Sequence, residues 1–154
     1  MRGCSSGDLS LHSREMARQG KRKAVDRDQF LKCHQVASVL AKSVDALETL
    51  ADDGDVYGNA IAIVAIHTCI AYADALCVRF RGFKSSEGDH TRVAHALREA
   101  VGARLDDRTF KSLVRVLELK DEVSYQGVYY RVSDAREVLR DMTTFCDWAE
   151  KALS

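Results

Sequence analysis

The chain has 154 residues, of which 46% are hydrophobic and 30% charged, as in a single soluble globular domain. Proline is absent, which is typical of a few long helices because proline breaks helix interiors. The formal net charge is zero, but residues 1–23 carry six basic and two acidic side chains, so the rest of the chain is net acidic. This distribution argues against a domain with the broadly basic face of most nucleic-acid binders, although it leaves room for a local basic patch.

Residues 1–23 are rich in Ser, Gly and Arg and are predicted to form a disordered basic arm, in which Met16 is a second candidate start of translation. The arm lacks the apolar segment of a signal peptide, and a cytoplasmic location is expected. The five cysteines form no C-x-x-C pair and indicate free thiols in a reducing compartment. Cys69, Cys77 and Cys146 lie within apolar helical patterns and are expected to be buried.

Residues 24–154 are predicted to form an all-α, up-and-down bundle of four to five helices. Apolar residues recur there at spacings of three and four, as on one face of an α-helix. Asp55 and Asp106 or Asp107 are candidate N-caps, Ser133 begins the last helix, and Gly102 is suited to follow the end of the third. The predicted helices cover 25–50, 55–81, 89–101, 106–126 and 133–153, and 128–130 is predicted to be an extended link.

The second helix is apolar on every side between Ala60 and Val78, nearly the length of a membrane span. His67 and Asp74 interrupt this stretch, and an ionisable side chain is costly in lipid. We therefore expect a central helix surrounded by the others rather than a transmembrane segment.

The same two residues are the first candidates for a functional site. His67 and Asp74 are seven residues apart, two helical turns, and point the same way. An antiparallel third helix would bring Asp89 and His90 close to Asp74, so the four side chains could form an acid–base or ligand-binding pocket. They could instead be buried polar groups satisfied by neighbouring helices, with Asp89 as an N-cap. Their spacing matches no metal motif, and neither a metal nor a cofactor is predicted.

A second candidate lies at the end of the fourth helix, where Lys120 and Tyr125 could present a cation and a phenol to an anionic ligand. The alternative is an ordinary solvated last turn. The sequence contains no phosphate-binding G-x-x-x-x-G-K-[ST], no G-x-G-x-x-G and no G-x-S-x-G motif, which argues against nucleotide-binding α/β folds and α/β-hydrolases.

Several of these features together resemble a known family. The stretch 66–76 (IHTCIAYADAL) is similar to the second helix of HEPN-domain proteins (higher eukaryotes and prokaryotes nucleotide-binding). The features that follow also fit the family: Gly82 in a loop, Gly88-Asp89-His90 opening a helix, and Leu119-Lys120 with Tyr125 closing the next. The resemblance spans about residues 25–153.

The resemblance implies a helical bundle that often dimerises. Many such proteins are ribonucleases or toxins, frequently beside a nucleotidyltransferase-type antitoxin, and others are inactive RNA- or nucleotide-binding modules. Catalytic members carry an arginine, four to six intervening residues and a histidine near the start of a late helix. Here the only literal match runs from Arg27 to His34 in the first helix, and no histidine follows His95. The polar set of this chain instead resembles a non-catalytic or divergent branch.

The leading hypothesis is a homodimeric HEPN-like binding module for RNA or a nucleotide, in a toxin–antitoxin or stress and defence system. Lys120 and Arg81 would contact phosphate, and the pocket would be lined by His67, Asp74, Asp89 and His90. One alternative is a divergent, metal-independent ribonuclease with His90 or His67 as general base. Another is a structural partner subunit without a small ligand.

Overall fold

A computed structural model describes residues 22–51, 56–85 and 91–154, and within them it confirms the all-α helical bundle. Helix α2 contacts every other α-helix of the described chain, so it is the centre of the bundle. The helices are α1 (Phe30–Leu50), α2 (Gly58–Arg81), α3 (Thr91–Val101), α4 (Asp107–Glu118), α5 (Lys120–Tyr125) and α6 (Val132–Leu153).

Helix α2 is long and apolar enough to cross a membrane, but 67% of its most apolar 18-residue window is buried inside the bundle, as in the core helix of a soluble protein. The prediction that other helices surround it completely is wrong. Its outer face is open at Ala60 and His67, because α1 and α6 pack against neighbouring sides and leave this strip in contact with solvent. Cys69, Cys77 and Cys146 are buried as predicted.

Two short strands lie beside the end of α2. Gly82 ends the helix in the left-handed region (φ 67°), and the chain reverses into β2 (Phe83–Ser85). This strand pairs antiparallel with β1 (Arg22–Ala24), and the Val25 amide donates to the Gly82 carbonyl at 2.8 Å. The predicted loop from 84 to 88 therefore begins as a strand, and the last residues of the predicted arm are ordered by pairing with it. Residues 1–21 lie outside the described part.

The predicted fourth helix is two helices. Asp106 caps α4 as expected, accepting from the Thr109 amide at 2.9 Å. At Leu119 the amide bonds to the Val116 carbonyl, three residues back, at 3.3 Å, and this tighter turn separates α4 from α5. The break places Lys120 at the start of a new helix rather than near the end of an old one.

The helix boundaries differ from the predictions by a few residues. Helix α6 begins at Val132, one residue before Ser133, and the Asp134 carboxylate accepts a hydrogen bond from the Arg131 amide at 2.9 Å, which caps the first turn. Gly102 adopts φ 60°, as expected for the residue that ends α3. The predicted caps Asp55 and Asp89 lie outside the described residues.

The link between α5 and α6 is held to the start of α2 by one side chain. The Asn59 amide group donates to the Val128 carbonyl and accepts from the Tyr130 amide, both at 2.8 Å. Gly58 allows the close approach, since a Cβ atom there would lie 2.0 Å from the Tyr130 carbonyl oxygen. The link is neither helix nor strand, and its position is fixed by polar contacts with α2.

Candidate functional site

The outer face of α2 and the first half of α1 border a groove of about 340 Å³, called here the α1–α2 groove. Such a volume is within the range of small-molecule sites. The two helices are antiparallel because the short segment 51–57 joins them, so the start of α1 lies beside the end of α2. The lining residues are Lys32, Cys33, Val36, Leu40, His67, Ile70, Ala71, Asp74 and Lys84.

Asp74 and Lys84 form the charged end of this groove. The Lys84 ammonium lies 4.0 Å from the Asp74 carboxylate, whose side chain is only 15% exposed. The position of Lys84 follows from the strand pair, because β2 turns back from Gly82 toward α2. The groove therefore has a carboxylate and an ammonium at one end, with Ile70 and Ala71 as its apolar floor.

His67 lies at the exposed rim of the groove, two turns from Asp74. Desolvation by the neighbouring apolar side chains lowers the pKa of His67, and the positive charge of Lys120 lowers it further. His67 is consequently neutral at pH 7, when it can donate from one ring nitrogen and accept at the other.

The structure brings together only part of the predicted site. His67 and Asp74 line one groove, but it faces α1 and β2 rather than the third helix. A spacing of seven residues fixes a common direction along α2 without showing which neighbour lies opposite. Asp89 and His90 fall outside the described residues.

The other predicted ligand residues do not line this groove. The Arg81 guanidinium lies 3.4 Å from the Ala100 carbonyl oxygen and 3.5 Å from that of Glu99, so it caps the end of α3. Lys120 is 9% exposed and acts on His67 through its charge, and Tyr125 is 75% exposed at the end of α5. Lys120 and Arg81 thus lie outside the groove that holds His67 and Asp74, and their phosphate contacts stay predictions.

Sequence reasoning missed the two lysines of the groove. Lys32 precedes Val36 by one turn of α1, and an antiparallel α1–α2 pair brings that turn close to Asp74. This signal was available in the helix pattern. Lys84 could not be placed in the same way, because its position depends on pairing between residues far apart in the sequence.

A polar cluster outside the groove joins three helices. The Glu150 carboxylate of α6 accepts a hydrogen bond from the Tyr72 hydroxyl of α2, and the His34 ring nitrogen of α1 lies 3.0 Å from both carboxylate oxygens. Burial raises the pKa of Tyr72, and the contact with Glu150 adds to the effect. This cluster fastens α1 and α6 across the central helix.

An acidic groove of about 520 Å³ lies between α4, the α5–α6 link and α6. The bidentate ion pair of Arg115 with Asp141, at 2.5 and 2.9 Å, forms part of its wall. It lowers the pKa of Asp141. The carboxylates that line this groove are those of Glu118, Glu122, Asp134, Glu137 and Asp141.

Within the described residues, no three His, Cys, Asp or Glu side chains are grouped as they would be around a metal ion. Comparisons with protein-family models, curated proteins and solved structures give no match.

Proposed function

We propose that this chain is a HEPN-like binding module whose α1–α2 groove holds a nucleotide, free or within an RNA chain. The observation that carries the proposal is the combination in one groove of an apolar floor with two lysines, Lys32 and Lys84. A nucleotide has the complementary parts: a flat base with apolar faces and a phosphate with negative charge.

Each part of the groove has a distinct role in this proposal. Ile70 and Ala71 offer an apolar surface to the base, while the lysine ammonium groups attract phosphate. Asp74 accepts hydrogen bonds from a ribose hydroxyl or an exocyclic amine. His67, neutral at pH 7, lies at the rim and can donate or accept one further hydrogen bond.

Titration calorimetry with ADP and AMP tests the proposal. We expect Lys84→Gln and Lys32→Gln each to weaken ADP binding by about tenfold, the equivalent of roughly 1.4 kcal/mol. The matched controls are Lys42→Gln and Lys151→Gln, which remove the same charge from exposed positions outside the groove. Equal affinities in the groove variants and the controls would refute nucleotide binding at this place.

Incubation with total RNA separates binding from catalysis. A neutral imidazole can act as a general base, so a ribonuclease using His67 would lose cleavage in His67→Ala. The binding module predicts no cleavage by the wild-type protein and retarded migration of RNA in a gel. Cleavage that disappears in the variant would favour the ribonuclease instead.

The outward face of α1 supports a second feature of the proposal, assembly as a homodimer. Val39 and Leu50 are 55% and 64% exposed, and large exposed apolar side chains that share a face mark interaction surfaces. These residues belong to a seam with alternating spacings of three and four, the repeat by which two helices pack together. The seam consists of Val36, Val39, Ser43, Ala46 and Leu50.

Sedimentation equilibrium tests the seam. Val39→Glu places a charge in it and should convert the dimer to a monomer, whereas Thr49→Glu places the same charge at an exposed position off the seam and should leave the dimer intact. Val36 lies in both the seam and the groove, so a second copy would border the nucleotide. A monomeric wild-type protein would remove the dimer from the proposal, and co-purification with a different chain would favour the partner-subunit alternative.

A further inference from the structure

A third groove, of about 610 Å³, is lined by three arginines from two helices. Arg136 and Arg140 are one turn apart on α6 and share a face, and Arg108 comes from the first turn of α4. It is called here the arginine groove, and it shares no residue with the α1–α2 groove. Its remaining lining residues are Glu48, Leu139, Thr143 and Thr144.

The arginines of this groove are little engaged by the protein. Arg108 and Arg136 form no ion pair with any residue that the structure describes. Arg140 lies 3.5 Å from Glu137, but the two side chains are 77% and 75% exposed. Ion pairs as exposed as this contribute little to stability. Glu48 is the carboxylate among the lining residues, and Glu137 lies beside the groove at Arg140. The guanidinium groups are thus available to an anion.

The geometry points to the phosphate backbone of RNA as the ligand of the arginine groove. The planar guanidinium donates two parallel hydrogen bonds to phosphate, and Arg136 and Arg140 are about 6 Å apart along the helix axis, so adjacent phosphates of one strand can contact both. The groove is open and has Leu139 as its only apolar lining residue among those described, which suits a polymer backbone better than an enclosed base. Thr143, exposed beside Arg140, adds a hydroxyl donor.

The acidic groove fixes the path of the strand. Glu137 and Asp141 face it from another side of α6, so a polyanion is attracted to one side of this helix and repelled from the other. The RNA backbone consequently runs along the arginine groove and does not wrap around α6. This site is independent of the nucleotide groove, and neither proposal needs the other.

The test uses a fluorescein-labelled single-stranded RNA of about 20 nucleotides and measures the affinity by anisotropy as the salt concentration is raised. The variant carries Arg108→Gln, Arg136→Gln and Arg140→Gln. Three lost phosphate contacts should reduce the slope of log K against log salt by about 2 and weaken binding about 100-fold at 0.1 M salt. ADP binding by this variant should stay at the wild-type value.

The matched control carries Lys42→Gln, Arg92→Gln and Lys151→Gln, which remove the same total charge from exposed positions outside the groove. Its RNA affinity should fall much less than that of the arginine variant. Equal losses in the two triple variants would overturn the inference, because net charge alone would then explain binding. A wild-type protein that binds no RNA but self-associates, and loses this association in the arginine variant, would also overturn it and assign the groove to an acidic protein surface.

Discussion

A Cβ atom on Gly58 would lie 2.0 Å from the carbonyl oxygen of Tyr130, closer than any side chain can approach a backbone. The first turn of the central helix and the link before α6 are thus in direct backbone contact.

Gly58→Ala should destabilise the protein by roughly 2 kcal/mol, since overpacking must displace the Tyr130 backbone. Helix propensity alone predicts the opposite sign, because alanine favours a helix over glycine by about 1 kcal/mol. Urea denaturation measures the difference. Ala60→Gly, at an exposed position two residues along the same helix, gives the propensity effect by itself, and a more stable Gly58→Ala variant would contradict the close contact.

Asn59→Ala should also loosen the link, because it removes the acceptor of the Tyr130 amide and the donor to the Val128 carbonyl. We expect a loss of about 2 kcal/mol, roughly 1 kcal/mol for each hydrogen bond. Asn59→Asp keeps the acceptor and loses the donor, so thermal unfolding should place it between the wild type and Asn59→Ala. Equal melting temperatures for all three would show that the side chain does not hold the link.

Glu150→Gln should weaken the cluster that joins α1, α2 and α6. Burial alone would raise the pKa of Glu150, but the hydrogen bonds with Tyr72 and His34 lower it overall from 4.5. The carboxylate therefore stabilises the fold above about pH 4.5, and this contribution is lost as the pH falls through the lowered pKa. We expect a cost of about 1 kcal/mol at pH 7, reduced because the side chain is half exposed.

The pH dependence of urea unfolding distinguishes this ionised contact from simple packing. Wild-type protein should lose stability below pH 4.5 more steeply than Glu150→Gln, whose neutral amide does not titrate. Glu118→Gln, at an exposed position of α4, serves as the control and should follow the wild-type curve. Parallel curves for the wild type and Glu150→Gln would contradict the assignment.

His67→Gln should change stability in a different pH range. The pKa of His67 is lowered from 6.5 by desolvation and by Lys120, so the unfolded chain takes up a proton before the folded protein does. Stability of the wild type should consequently decline as the pH falls from 6.5 toward the lowered pKa, and the decline should be absent in His67→Gln. Lys120→Gln should reduce this loss of stability, because it removes one of the two causes of the lowered pKa. NMR titration of the His67 ring measures the pKa directly, and a value above 6.5 would refute the explanation.

Much of the fold follows from local patterns in the sequence. The long apolar α2 is the core helix because its composition leaves it no stable place outside a bundle. Asp106 begins α4 because its carboxylate can cap the first turn, and Gly102 ends α3 because glycine readily adopts a positive φ. The break at Leu119 was missed because apolar residues continue through it at helical spacing, without glycine or proline.

The candidate site was harder to predict because it depends on which helices are neighbours. The shared direction of His67 and Asp74 followed from their spacing, but their facing α1 rather than α3 is a tertiary fact. The arginine groove could not be predicted from the sequence for the same reason. Arg136 and Arg140 are visible as a pair on one helix, whereas Arg108 joins them only when α4 packs beside α6.

The charges on the two sides of α6 have a consequence for the molecule as a whole. Although the formal charge of the chain is zero, the carboxylates near Glu137 and the guanidinium groups near Arg136 give it an electric dipole across α6. A charged body that approaches within the screening length, about 8 Å at physiological salt, exerts a torque on this dipole. The dipole therefore orients the protein relative to a charged partner at short range, whereas a net charge would also attract that partner from farther away.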